Sequence, residues 1–365
     1  MKRNLGNNLN TRKGHHHHHH HASSAEQAPS LIDWSYIKDI QLPPPNVSKV
    51  DHHSITLNWD NLNDEDEVHG DQRLMYELQE ETCTHEYKTL YQGYADSFIV
   101  EDLPPLRTYK YRLVVSYNDQ NLATSDAVTA STANEPYDAS KLHKAVLKKE
   151  EDVLVKIIES GDVSIDALDK FGQTPLMVAT RKGFLSMINI LLDYGADVEM
   201  QDSSGKNSLM LACFIGSKEI ARKLRDAGLQ WSTIDKNGCT SLHYAVDSCN
   251  KRLIEWVIAE GAPLEARDTV SGWTPLLRVA ATSGDHDTCE VLLDAGADVN
   301  LQDFAGKSSL MMACLNGHLL TTQLLLERGA DMDLKTAHGK TCFDMALSFD
   351  RGAVISLLES FRAKK

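Results

Sequence analysis

Several short motifs in this 365-residue chain carry residue types that could do chemistry. GKS at 306–308 and GKT at 339–341 end like phosphate-binding loops, which require a further glycine five residues before their own. Leu301 and Leu334 occupy those two positions, so the chain lacks the glycine that would let the backbone wrap a phosphate. We therefore interpret both motifs as by-products of a repeating sequence, and not as nucleotide sites.

Other arrangements fail for similar reasons. Cys239, His243 and Cys249 could suggest zinc, but their spacing matches none of the paired ligand arrangements of structural zinc sites. The chain has no G-x-S-x-G nucleophile motif, and the acidic run DEDE at 64–67 is typical of solvated loop charge. We expect no catalytic residue, no cofactor and no metal ligand, and we assign His243 a structural hydrogen-bonding role.

Glycine, helix-capping residues and leucine recur at fixed intervals in the second half of the chain. The glycines stand 33 or 34 residues apart, at Gly172, Gly205, Gly238, Gly272, Gly306 and Gly339. Two positions after each comes a residue that can cap a helix: Thr174, Asn207, Thr240, Thr274, Ser308 and Thr341, with Ser140 in the equivalent place of the opening unit. A period of this length indicates a repeat array.

A second glycine series follows apolar segments such as CEVLLDAGAD and marks helix ends, where glycine adopts the left-handed conformation at low cost. Its members are Gly161, Gly195, Gly228, Gly261, Gly296 and Gly329. Each period therefore encodes a turn, a capped helix, a short reversal and a second helix. One such unit has too little apolar surface to be stable alone, so stacking must supply the core.

The D-x-x-G-x-T-P-L frame and the L-L-x-x-G-A-D endings resemble ankyrin repeats over roughly residues 138–364. We predict an all-α ankyrin repeat solenoid at 135–365, with about seven helix-pair units of which the first and last act as polar caps. Two departures from the pattern stand out: Cys249 replaces a usual glycine, and the fifth unit carries one extra residue between Gly272 and Gly284. The His243 position corresponds to the histidine of the ankyrin TPLH motif.

The preceding segment alternates apolar and polar residues, as in SITLNW and YKYRLVVSY, which is the period of half-buried strands. PPPNVSKVDHHSITLNW and LPPLRTYKYRLVVSY resemble a fibronectin type III domain over about residues 42–134. We predict an all-β sandwich there, with Tyr109 as the corner tyrosine, although Arg107 replaces the usual threonine. The whole chain is then multidomain.

Residues 1–41 fit no fold and are predicted to be a mostly disordered tail. Its histidine tract, His15 to His21, is either a purification tag or a low-complexity run that binds metal weakly. The seven cysteines form an odd set without disulfide-framework spacing, which favours a reducing compartment. With no long apolar run and a net charge of −15, we expect no membrane and no direct nucleic-acid partner.

A fibronectin type III sandwich followed directly by an ankyrin array is an unusual order that resembles one known family of two-domain proteins. The resemblance implies a nuclear and cytoplasmic protein of germ or ciliated cells, linked to transcriptional regulation or to the axoneme of a cilium or flagellum. We expect a non-enzymatic adaptor or scaffold whose partners are transcription regulators or axonemal components. The alternative is a structural component of a ciliary or axonemal assembly.

In an ankyrin array the free surface lies along the turn tips and the exposed ends of the first helices. Several side chains predicted there are larger and more apolar than solvent exposure requires, and aromatic anchors often dominate binding energy. The predicted protein-binding residues are Lys170, Phe171, Gln173, Arg181, Lys182, Lys206, Phe214, Ile215, Lys236, Asn237, Asp247, Trp273, Phe304, Lys307 and Leu315. For Trp273, packing between repeats is an equal alternative.

Overall fold

The structure, a computed structural model, describes residues 31–63 and 72–364, and these residues fall into two compact units that divide between Pro136 and Tyr137. The first is built from strands and the second from helices, so the predicted fold class is confirmed. The histidine tract and the acidic run at 64–67 lie outside the described residues.

Within its described residues, the first unit has eight strands in two antiparallel sheets. The strands are β1 Asn46–Val50, β2 Ile55–Asn58, β3 Met75–Glu81, β4 Tyr87–Gly93, β5 Ser97–Val100, β6 Thr108–Tyr117, β7 Gln120–Thr124 and β8 Val128–Ser131. One sheet has the order β1-β2-β5, and the other has the order β4-β3-β6-β7 with β8 also paired to β6. Alternate residues of β2 and β3 are buried, which places one face of each strand in the core.

Residues 31–41 are more ordered than the sequence suggested. A short 3₁₀ helix spans Ser35–Asp39, and Trp34 and Ile37 are buried in the same apolar core as Leu57. The Trp34 indole N–H donates to the Gln72 carbonyl over 2.9 Å. The prediction of a disordered tail is therefore wrong for these residues, because an apolar pair can add to a sandwich core without forming a strand.

The corner before β6 is held differently from the fibronectin pattern. The buried Thr132 hydroxyl donates to the Pro104 carbonyl over 2.7 Å and accepts the Arg107 N–H over 3.0 Å. Tyr109 instead stacks beside Tyr111, with ring centroids 6.3 Å apart. The Thr132 side chain therefore holds the turn before β6, where Arg107 stands in place of the usual threonine.

The second unit consists of paired helices joined by turns. The first helices of the pairs are α1 Ala139–Leu147, α3 Pro175–Lys182, α5 Ser208–Ile215, α7 Ser241–Asp247, α9 Pro275–Ala281, α11 Ser309–Leu315 and α13 Cys342–Ser348. The second helices are α2 Glu151–Ser160, α4 Leu185–Asp193, α6 Lys218–Asp226, α8 Lys251–Ala259, α10 His286–Asp294, α12 Leu319–Glu327 and α14 Gly352–Ala363. Each first helix contacts the next first helix, so a single apolar core runs through the stack.

The predicted helix starts are confirmed in six units, where the capping residue stands directly before the first helix. Thr174, for example, accepts the Met177 N–H over 3.1 Å, a bond that stabilises a helix by about 1 kcal/mol. In the opening unit the cap is Asp138, which accepts the Lys141 N–H over 2.9 Å, and Ser140 lies inside α1. The Ser140 prediction was wrong because that unit has no turn glycine to set the frame.

The reversal between the two helices of each unit needs one residue in the left-handed region. Glycine fills this place in four units, at Gly183, Gly216, Gly284 and Gly317. Lys149, Cys249 and Asp350 fill it in the others, with φ of 55°, 54° and 54°. The extra residue of the fifth unit is absorbed just before this point, where Thr282 ends α9 with φ −108° and ψ −101°.

The last unit is less polar on its outer face than expected of a cap. Leu347 is 62% exposed, whereas Cys314, at the same place one repeat earlier, is fully buried. The difference arises because each inner unit covers this position of the unit before it, and among the described residues nothing covers Leu347. Phe349 is also 55% exposed.

Candidate protein-recognition surface

Five of the turn tips are built by an aspartate at the start of the repeat, and Thr336 takes its place at the last tip. Asp169 Oδ1 accepts the N–H groups of Phe171 and Gln173, each over 2.9 Å. Equivalent bonds are made by Asp202, Asp235, Asp268 and Asp303. The aspartate of the D-x-x-G frame therefore folds the tip and fixes the backbone of the residues displayed on it.

Neighbouring tips are also bonded to one another. The Lys236 N–H donates to the Ser204 carbonyl over 3.0 Å, and the Thr269 N–H donates to the Asn237 carbonyl over 2.8 Å. The next two bonds join Phe304 to Ser271 and Ala337 to Ala305, over 3.0 and 3.1 Å. A row of tips held in this way presents its side chains at fixed spacing, which lowers the entropy lost on binding.

The side chains predicted as apolar anchors are exposed in most cases. Phe171 is 71% exposed, Phe304 64%, Phe214 55% and Ile215 38%. Leu315 is only half-exposed. The Lys170 ammonium lies 5.0 Å from the centre of the Phe171 ring, so this tip combines a cation with an aromatic face.

The predicted residues lie along two edges of the array. The tip edge carries Lys170, Phe171, Gln173, Lys206, Lys236, Asn237, Trp273, Phe304 and Lys307. The ends of the first helices carry Arg181, Lys182, Phe214, Ile215, Asp247 and Leu315. A first helix of eight residues such as α5 separates the two edges by about 12 Å, at about 1.5 Å per residue. A partner that touches both must cross the first helices.

Trp273 packs between repeats. Its half-buried ring contacts a small cluster of Leu277, Ala280 and Met312, and its indole N–H donates to Asp303 Oδ2 over 3.1 Å. These contacts agree with the alternative that Trp273 packs between repeats. Its role in partner binding stays a prediction.

Gln173 and Arg181 are joined to the neighbouring repeat. The Arg181 guanidinium donates to Gln173 Oε1 over 2.9 Å and lies 3.3 Å from Asp202 Oδ2. Asp202 was not among the predicted residues. Its buried side chain connects the tip of its own repeat to the helix end of the previous one. This bridge spans the first-helix face between the two edges.

A second cluster on that face was missed by sequence reasoning. Arg278 of α9 donates two bonds of 2.8 Å to the Asp247 carboxylate at the end of α7, and its guanidinium lies 5.3 Å from the centre of the Tyr244 ring. Tyr244 in turn donates to Asp235, and the Lys206 ammonium lies 5.1 Å from its ring. Asp247 and Lys206, both predicted as partner contacts, are therefore engaged within the array.

The sequence does contain a sign of this cluster: at one position of the repeat, the residue type changes from apolar to polar. Tyr244 and Arg278 stand two residues after the core leucine of their helices, and that position is apolar in four other units, as Val178, Leu211, Met312 and Met345. Burial and the bond to Asp235 raise the pKa of Tyr244 above its ordinary value. Burial lowers the pKa of Arg278, but the bonds and charge of Asp247 outweigh that effect and raise it overall.

His243 has the structural role that the sequence predicted. The Thr240 N–H donates to Nδ1 over 3.0 Å, so the neutral ring carries its proton on Nε2, which donates to the Trp273 carbonyl over 2.8 Å. The side chain thus joins two repeats. Burial lowers the pKa of His243, because a charged imidazolium would lose its hydration.

The helix pairs, their capped starts and the bonded row of tips define the class of the second unit, which is an ankyrin repeat array. A family model described as ankyrin repeats (3 copies) matches residues 142–235, 227–303 and 277–365. The crystal structure of the ankyrin repeat domain of Bcl-3, described as a unique member of the IkappaB protein family, covers 62% of this chain at 29% identity with a TM-score of 0.53. That match includes 100% of the Bcl-3 chain. Ankyrin arrays are protein-interaction modules that bind through extended surfaces.

Relatives with both kinds of domain are more similar. The mouse fibronectin type 3 and ankyrin repeat domains 1 protein is 43% identical over 278 residues, which are 75% of this chain and 80% of the relative. The human protein is 43% identical over 276 residues, with the same coverage. The chain therefore belongs to the fibronectin type 3 and ankyrin repeat domains 1 family. Among the described residues, none of the helices is long and apolar enough to span a bilayer.

Proposed function

We propose that the protein is a non-enzymatic adaptor that binds partner proteins through the tip edge and first-helix ends of its ankyrin array. The observation that carries this proposal is the exposure of large aromatic side chains on the turn tips, above all Phe171 and Phe304, of which Phe304 lies in the bonded row of tips. Exposed aromatic rings of this size commonly mark interaction sites, because burying each of them on binding removes a large apolar area from water.

The first-helix face adds specificity to this surface. Its charged groups are already paired, as in Arg278 with Asp247 and Arg181 with Asp202, so a partner can lie across them without leaving a buried charge uncompensated. The proposed partner is a protein segment that places apolar side chains between the aromatic anchors. Its polar groups hydrogen-bond to the charged pairs of the first-helix face. The β unit is acidic, with 6 Lys or Arg and 16 Asp or Glu in residues 43–134, and offers a second docking surface, so that two partners could be held together.

Affinity capture with the intact chain tests the proposal. The bait is compared with a Phe171→Ala, Phe214→Ala, Phe304→Ala variant, using extracts of germ or ciliated tissue and mass spectrometry. We expect a set of proteins to be captured by the unaltered chain and lost by the variant, because each substitution removes an exposed anchor. Thermal unfolding of both baits shows whether the variant stays folded.

The matched control removes exposed apolar side chains from second helices. Val153 on α2 and Leu320 on α12 are 40% and 69% exposed, and both lie away from the tips. A Val153→Ala, Leu320→Ala bait is expected to capture the same proteins as the unaltered chain. If the tip variant also captures them undiminished, recognition does not use the aromatic anchors.

The resemblance stated above supplies a cellular setting, which we include in the proposal: the nucleus and cytoplasm of germ or ciliated cells, with transcription regulators among the partners. Fractionation of such cells tests it. Recovery in soluble nuclear and cytoplasmic extracts would agree with a mobile adaptor. Retention with axonemes through high-salt extraction would instead favour a fixed structural component of the cilium or flagellum.

A further inference from the structure

A second charged surface lies at the opposite end of the helix pairs from the turn tips. An open groove of about 510 Å³ is lined by the first turns of α6 and α8. Its lining residues are Lys218, Glu219, Arg222, Asn250 and Arg252. Because α5 carries the chain away from its tip before α6 begins, this groove is separate from the tip edge.

The cations of the groove are not neutralised by the array. Within the part of the chain that the structure describes, Lys218, Arg222 and Arg252 make no ion pair. Glu219 is the single acidic residue in the lining, so the groove carries an excess of positive charge on a chain whose net charge is −15. Lys218 opens α6 and Arg252 lies in the first turn of α8, where the helix dipole adds partial positive charge.

Trp256 of α8 supports two of these cations. The Lys218 ammonium lies 6.0 Å and the Arg222 guanidinium 5.7 Å from the centre of the Trp256 ring. The ring is half-buried and packs edge-on against the buried Trp231, with centroids 5.5 Å apart. A fixed aromatic face therefore holds both side chains beside the groove and lowers the entropy they would lose on binding an anion.

The basic character is confined to these two repeats. Positions equivalent to Lys218 and Arg222 are Leu185 and Asn189 in the preceding repeat. The fifth unit carries Asp285, Asp287 and Glu290 on the corresponding turn. A long polyanion such as RNA would run onto these acidic groups, whereas a single compact anion would contact the groove alone.

We propose that this groove binds a phosphorylated side chain of a partner protein. A phosphate carries close to two negative charges and three acceptor oxygens, and two guanidinium groups and an ammonium complement that distribution. The groove is separate from the tip edge but borders the first-helix ends, since the Asn250 side-chain amide donates to the Gly216 carbonyl over 2.8 Å. It can act whether or not the tips bind a partner. It would make one interaction of the chain depend on phosphorylation of the partner.

Fluorescence anisotropy with the full chain tests the proposal. The probe is a short labelled peptide with one phosphoserine flanked by neutral residues, and its comparison is the same peptide with serine. We expect saturable binding of the phosphopeptide, weakened at least about tenfold by Arg222→Glu with Arg252→Glu, because two attractive charges become repulsive. Binding should also weaken as salt is raised.

The control variant is Lys335→Glu with Lys340→Glu, which makes the same change in net charge at exposed lysines of the last repeats. It is expected to alter phosphopeptide binding by less than about twofold, since it leaves the groove unchanged. Thermal unfolding checks that both variants remain folded. Absent binding, equal binding of the serine peptide, or equal losses in both variants would overturn the proposal. So would tighter, groove-dependent binding of a short RNA or of anionic vesicles.

Discussion

Arg278 and Asp247 form a half-buried ion pair. Its contribution to the free energy of unfolding can be compared with that of a surface pair. Their side chains are 20% and 17% exposed, and two bonds of 2.8 Å join them. Replacing Arg278 with Met keeps much of the side-chain volume but leaves the Asp247 carboxylate without its partner. We expect Arg278→Met to lower the free energy of unfolding of the array by about 2 kcal/mol, measured by urea denaturation.

Arg328 offers the matched comparison on an exposed pair. It lies 2.7 Å from Asp294, but these side chains are 38% and 58% exposed, so water screens their attraction. Arg328→Met should therefore cost less than about 1 kcal/mol. Equal losses for Arg278→Met and Arg328→Met would show that partial burial adds nothing to the inner pair.

His243 makes the stability of the array depend on pH. Folding lowers its pKa, so the unfolded chain binds the proton more tightly than the folded chain. Its contribution is full above the ordinary pKa of 6.5 and is lost as the pH falls from there toward the folded value. We expect His243→Gln to reduce the difference in free energy of unfolding between pH 7.5 and pH 5.5 while lowering stability at both.

The control for this experiment is His338→Gln, at an exposed position of the last repeat. Urea denaturation at the two pH values is compared for the unaltered chain and both variants. His338→Gln should leave stability at pH 7.5 nearly unchanged, because no buried bond depends on that side chain. If His243→Gln retains the full pH dependence, another group causes it.

At the scale of elements, the reversal between paired helices places Cys249 in the left-handed region, which glycine fills in four other units. Cys249 holds a φ of 54°, which a side chain makes unfavourable by about 1 kcal/mol or more. Cys249→Gly removes that strain but gives the unfolded chain more freedom, so we expect a net gain of about 0.5 kcal/mol in the free energy of unfolding. Urea denaturation measures the change.

Gly216 is the comparison, since it fills the same place in the preceding repeat with φ of 79°. A Cβ added there would lie 3.3 Å from the Ser248 Cβ, so Gly216→Ala adds backbone strain and a close contact. It should destabilise the array by about 1 to 2 kcal/mol. A loss of stability on Cys249→Gly would mean that the thiol contacts, such as the 3.6 Å approach to Ser283, outweigh the strain.

Interactions within one turn of chain could be predicted from the sequence, whereas interactions between distant residues could not. Helix caps such as Thr174 and the helix-end glycines act within one turn of chain, so a repeating pattern predicted them correctly. The Arg278 pair joins residues 31 apart, and only the stacking of helices brings them together. The tip and helix-end residues could be named from the repeat, but their division into two edges depends on the length and direction of the first helices.

At the scale of the whole molecule, each unit has its own apolar core. Trp34, Ile37 and Trp59 belong to the core of the β unit, and the core of the array begins at Leu142. Because the described residues of each core cluster come from one unit, we expect a core substitution to act on its own unit. This independence suits an adaptor, because loss of one binding surface need not unfold the other.

Trp34→Ala tests that independence in the intact chain. The substitution removes a side chain that is 3% exposed and its bond to the Gln72 carbonyl, so the β unit should lose about 3 kcal/mol. Hydrogen exchange followed by mass spectrometry reports the two units separately: we expect faster exchange in β2, β3 and β6 and unchanged exchange in α5 to α11. The reciprocal Leu209→Ala, in the core of the array, should reverse the pattern. Faster exchange in both units with either variant would show that the two cores unfold together.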